Sequence, residues 1–173
     1  MKEISLNILD IANNSIRANC KLLSIEIEES EKNNILSVTI TDDGCGMSEE
    51  TLKKVTDPFF SSRTTRHIGL GVPFLKQHAE LAGGKFFIKS ELGKGTEVHA
   101  EFELNHPDRQ PLGNVPEIML MLIASNPEID FIYRYKNDVD EVSLDTREVK
   151  GVLEDIPINN AEVLKMLGDM MTI

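Results

Sequence analysis

Asp10, Asn14 and Arg17 stand three and four residues apart near the amino terminus. Ile4, Ile8, Ile11, Ala12 and Ile16 repeat at helical spacing around them, so the spacing predicts an amphipathic helix over residues 3–19 with a carboxylate, an amide and a guanidinium along one edge. An amide oxygen is a hard donor of the kind magnesium accepts, a guanidinium offsets phosphate charge, and a carboxylate can serve as a general base. A solvated helix face accounts for the same three residues.

Two glycine-rich stretches add to this set. Asp42-Asp-Gly-Cys-Gly46 follows a run of alternating apolar residues, so a carboxylate stands at a strand end while Gly44 and Gly46 let the backbone approach a ligand. A bare turn, or a calcium loop lacking its later acidic ligands, fits that stretch equally well. Gly69-Leu70-Gly71 opens a helical run ending at Gly83-Gly84, and the free amides of such an opening can receive phosphate. Residues 57–68, between them, are polar, basic and irregular and read as a mobile lid.

The elements that must position these groups are legible. Leu23-Ser-Ile-Glu-Ile-Glu and Leu36-Ser-Val-Thr-Ile-Thr alternate across a polar turn, as do residues 85–90 and 96–104 across Gly93-Lys-Gly95, so two half-buried antiparallel hairpins are expected. Ser48 should cap a short helix before the lid. The fold class is therefore α+β, a two-layer sandwich in which helices cover a mixed, largely antiparallel sheet. Three prolines and a glycine in Asn105 to Pro116 mark a linker, giving residues 1–105 as the main domain, 106–116 as the linker and 117–173 as a small α-β-β-α appendage.

Taken in order, these segments resemble the GHKL (Bergerat-fold) ATPase superfamily, and in particular its histidine-kinase-like ATPase domains without the phosphoacceptor-histidine helices. The segment Asp10 to Ala18 is similar to the family's N box, Asp42 to Gly46 to its G1 box, Asp57-Pro-Phe-Phe-Ser-Ser-Arg63 to its F box and early lid, Gly69 to Gly71 to its G2 box, and Ser90-Glu-Leu-Gly-Lys-Gly-Thr96 to its closing motif. The resemblance implies ATP and Mg2+ as cofactors. It assigns Asn14 to the metal, Arg17 to phosphate, Asp42 to the adenine amine, and Thr96 to the same pocket through water. Gly44, Gly46, Gly69, Leu70 and Gly71 would lie along the nucleotide. Arg63, with Arg66 as a second candidate, would reach the γ-phosphate, and Asp10 occupies the place of the family's water-activating acid. His67 stands where the family usually has an earlier glycine, and Phe59 and Phe60 serve as lid supports.

Composition narrows the partners. A net charge of −11 and a pI near 4.8 disfavour nucleic acid and anionic membranes. Two cysteines at unpatterned spacing look like reduced thiols, the start of the chain lacks a signal peptide's apolar core, and a cytoplasmic location is expected. None of His67, His78, His99 and His106 sits in a phosphoacceptor setting, so a protein kinase acting in trans on a separate partner is the favoured reading. An ATP-hydrolysing or ATP-gated switch is the alternative, a nucleotide-binding module without catalysis is the third reading, and a homodimer stays open.

Overall fold

The computed structural model describes residues 3–57 and 70–173. Helix α1 (Ile4–Arg17) is followed by strands β1 (Leu22–Ser30) and β2 (Ile35–Asp42), a short helix α2 (Glu49–Lys54), and helix α3 (Gly71–Leu81). Then come β3 (Lys85–Glu91), β4 (Gly95–Glu103), α4 (Val115–Ser125), β5 (Asp130–Lys136), β6 (Glu141–Asp145), α5 (Thr146–Leu153) and α6 (Ala161–Met170). The chain is α+β, with six described helices and one mixed sheet ordered β3-β4-β2-β1-β5-β6. All neighbours in it run antiparallel except β1 and β5, which pair in parallel from Leu22↔Asp130 to Glu28↔Lys136.

Strand alternation decides which face is covered. Leu23, Ile25 and Ile27 of β1 and Leu36, Val38 and Ile40 of β2 are buried, and they meet Ile4, Ile8, Ile11 and Ala12 of α1 in one core cluster. The intervening residues, such as Glu26, Thr39 and His99, form the open face. Phe131, Tyr133 and Leu167 belong to the same cluster, so residues after 116 extend one sheet and one core.

Within residues 106–116, expected as a linker, Pro111, Leu112 and Gly113 lie along the start of α1. Glu3 makes no side-chain cap; Ile4 N and Ser5 N instead donate to the carbonyls of Pro111 and Leu112 at 3.0 and 2.8 Å. Those amides would otherwise lack intrahelical partners. Among the described residues no helix is long and apolar enough to cross a membrane.

Candidate nucleotide-binding site

A cavity of about 250 Å³ opens between α1 and the ends of β2 and β4. Ile11, Ile40, Val55, Val72, Ile88 and Val98 make its walls apolar, while Asn14, Arg17, Asp42, Gly46 and Thr96 bring the polar groups. Apolar walls with a few placed polar atoms suit a flat heteroaromatic ring with a polar edge.

Asp42 ends β2 directly across the ladder from Thr96 on β4. Its Oδ2 accepts from Ser15 Oγ at 2.6 Å and its Oδ1 from Gly44 N at 2.8 Å. Two donors on separate oxygens hold the carboxylate plane and leave further lone pairs for an amine. Thr96 Oγ1 lies 2.8 Å from Ser90 Oγ, which also accepts from Met47 N at 2.8 Å and donates to Gly95 O at 3.0 Å. With the serine proton on Gly95 O, Thr96 donates to Ser90 and keeps its own lone pairs for a ligand or water.

The loop after Asp42 is stitched on three sides. Cys45 N donates to Ala18 O at 2.9 Å, Gly93 N to Cys45 O at 2.8 Å, and Asp43 Oδ1 accepts from Lys21 N at 2.7 Å. Gly46 has φ +69° and Gly95 φ +122°, and a Cβ would fall onto Glu91 O at the first and Asp42 O at the second. Both positions need glycine because two backbones nearly touch there.

The remaining sequence-predicted residues separate. Asn14 and Arg17 stay together at the cavity, with Arg17 Nη1 donating to Asn14 Oδ1 at 3.2 Å. Asp10 faces α3: its Oδ2 accepts from Gly71 N at 2.6 Å, and it is absent from the cavity wall. Leu70 is the residue before α3, adjoining Gly71. Arg63 and Gly69, with Phe59, Phe60, Arg66 and His67, lie outside the described residues.

Sequence reasoning passes over Ser15 and Asn7, and names Ser90 only as the start of the closing motif without giving it a role. Ser15 and Asn7 are buried on α1, at 3% and 0% exposure, and a polar residue placed among core positions of an amphipathic helix is the signal that could have found them. Asn7 Nδ2 lies 3.2 Å from His78 Nδ1 on α3, and burial, with a smaller contribution from the positive amino terminus, holds that imidazole below its usual pKa of 6.5. Cys45 lines the cavity and is exposed, whereas buried Cys20 has its thiol pushed up to about 11, first by desolvation and then by Asp42 and Asp43.

Residues 2–106 match the family described as histidine kinase-, DNA gyrase B-, and HSP90-like ATPase, and the chain belongs to that family. This makes the matched segment an ATP-binding module. Sensor protein SrrB of Staphylococcus aureus is 34% identical over 101 residues, covering 56% of this chain and 17% of that protein. Sporulation kinase E of Bacillus subtilis is 29% identical over 99 residues, covering 57% of this chain and 13% of that protein. The chain thus spans less than a fifth of the length of these two relatives. Among solved structures, the Aquifex aeolicus MutL ATPase domain complexed with ADP superposes with a TM-score of 0.54 at 16% identity, over 89% of this chain and 70% of the other. The N-terminal domain of a DNA repair protein gives 0.58 at 15%, over 83% and 53%.

Proposed function

We propose that the chain binds Mg-ATP and acts as a histidine-kinase-like protein kinase in trans, passing the γ-phosphoryl group to a separate protein in cytoplasmic signalling. The observation that carries the nucleotide assignment is the pairing of Asp42 with Thr96 across β2 and β4, with Ser15 and Gly44 orienting the carboxylate toward an apolar cavity. In this reading Asp42 accepts from the adenine amine and Thr96 completes the pocket through water. Gly44 and Gly46 allow close approach, Gly69 and Leu70 are given to the phosphates by the resemblance, and Gly71, whose N–H goes to Asp10, opens α3 directly after them.

Asn14 fits a magnesium site. Its Oδ1 is a neutral hard oxygen on the cavity wall whose second lone pair remains beside the 3.2 Å bond from Arg17 Nη1, and a single protein oxygen suffices where phosphate oxygens and water complete the shell. The ion would supply charge compensation along the phosphates. Arg17 adds a cation beside Asn14, and Arg63 is assigned to the γ-phosphate by the resemblance alone. Phosphoryl transfer needs positioning and charge compensation above all, which is what these groups provide.

The alternative is an ATP-hydrolysing or ATP-gated switch. It draws support from the shared sheet, because β5 pairs with β1 from Leu22 to Glu28 and β1 pairs with β2, whose Ile40 and Asp42 line the cavity. Against hydrolysis stands the engagement of Asp10, the candidate base, with Gly71 N. A homodimer is a further proposal, checked by sedimentation.

Incubation of the protein with magnesium and γ-labelled ATP separates the readings. Label on protein, lost in Asn14→Ala, is the expected result once an acceptor protein is supplied. Release of free phosphate without protein label supports the switch, and failure to bind ATP at all overturns the nucleotide assignment.

A further inference from the structure

Helix α1 turns a polar edge toward α3. Asn7, Asp10 and Asn14 recur at three and four residues, which places them on one side of the helix. Asn7 reaches His78, in the last turn of α3, and Asp10 accepts from Gly71 N, the first residue of α3, at 2.6 Å. Only Asn14 of the three lines the cavity. Two of the three groups are therefore spent on holding α3 against α1, one near each end of the shorter helix.

The contact at Gly71 is close for a physical reason. The first amides of a helix have no intrahelical acceptor, and a carboxylate there gains both a charge-assisted hydrogen bond and the favourable end of the helix dipole. Leu70, at the cap position, supplies no side-chain bond, so Asp10 stands in from another helix. A Cβ on Gly71 would lie 2.7 Å from Asp10 Oδ2, 2.9 Å from Asp10 Cβ and 3.2 Å from Asn7 O. The start of α3 is thus seated directly on α1. At that separation the one-methylene reach of aspartate fits, and glutamate would push the helix away.

We propose that Asp10 is a positioning residue: it anchors the N-terminus of α3, and so fixes Leu70 and Gly71 where that helix begins, without taking a proton from the attacking group. The inference rests on the nucleotide assignment for the meaning of that helix start, while the anchor itself is a property of α1 and α3.

Three variants decide it. Asp10→Asn keeps an acceptor oxygen for Gly71 N and removes the base; Asp10→Ala removes both; Asp10→Glu keeps the base and spoils the fit. The expected order of affinity for a fluorescent ATP analogue is wild type within about threefold of Asp10→Asn, with Asp10→Ala and Asp10→Glu weaker by about 10-fold or more. Hydrogen exchange at the Gly71 amide should be slow in the wild type and in Asp10→Asn and at least about tenfold faster in Asp10→Ala, and this readout needs no turnover and no partner. Where product forms, the pH profile of Asp10→Asn should superpose on that of the wild type.

A general base would give the opposite pattern: Asp10→Asn would bind ATP normally yet lose about 100-fold or more of product formation, while Asp10→Glu would retain most of it. That outcome overturns the proposal, as does equal Gly71 exchange in Asp10→Asn and Asp10→Ala. If wild type does not bind ATP, the nucleotide assignment falls, and the exchange order still judges the anchor separately.

Discussion

At one end of the cavity β2 and β4 run side by side, and Asp42, Thr96, Gly46 and Gly95 are placed by a backbone ladder and by backbones in near contact. Beside the cavity, and outside its lining, α1 meets α3, and the meeting is held by side chains: Asn7 on His78 and Asp10 on Gly71. Around Gly46 and Gly95 the strand end tolerates almost no change, because the nearest atoms there are main chain, which cannot swing aside. The helix end depends on individual side-chain bonds, which a conservative replacement can restore. A site that reads a flat base wants the first kind of construction, and one that adjusts to a phosphate chain can use the second.

The contrast can be broken experimentally. Asp42→Asn should have the largest effect, lowering ATP affinity by at least about 100-fold in calorimetry, because an amide nitrogen would face the adenine amine and the two internal donors would lose a charged acceptor. Binding at wild-type strength would remove Asp42 from the base pocket. Gly46→Ala comes next, since a left-handed φ and a collision with Glu91 O oppose any Cβ; a loss of about 2–3 kcal/mol, seen as a melting temperature about 5–10 °C lower, is expected.

Ser15→Ala tests how much of the carboxylate's placement belongs to the strand end itself. Gly44 N remains on Asp42, so affinity should fall only about 5- to 10-fold with little change in melting temperature. A loss as large as that of Asp42→Asn would show that a helix side chain, and not the ladder, governs the base end.

The smallest effect is a pH dependence at the helix end. His78 is held below 6.5 in the folded chain, so below 6.5 the unfolded state binds more protons. Stability should therefore fall as pH drops below 6.5 toward the lowered folded value, and His78→Asn should flatten that slope in melting curves between pH 7 and 5. An unchanged slope would place the titration elsewhere.

Much of the strand end is legible from the residues alone. The alternation in residues 23–28 and 36–41 predicts a hairpin with Leu23, Ile25, Val38 and Ile40 inward, and these residues are buried. A carboxylate followed by two spaced glycines at a strand end also fits a bare turn, so Asp42 stands out only through its position after the Asp10–Ala18 segment. Ser15 escapes notice because its meaning depends on Asp42, 27 residues away. Asp10 takes its sequence reading from its neighbours on α1, yet its partner Gly71 lies 61 residues on.

The sequence by itself determined the period of each element, the core faces and the glycines where backbones converge, since those follow from spacing of three to four in helices, two in strands, and the absence of a side chain. Only the tertiary structure decided that β5 joins β1 in parallel, that residues 111 and 112 cap α1, and that Asp10 faces α3 and not the cavity. Each of these is a pairing between distant segments whose local patterns are compatible with several partners. The choice among partners is made by the packing of the whole core, which no single stretch of sequence contains.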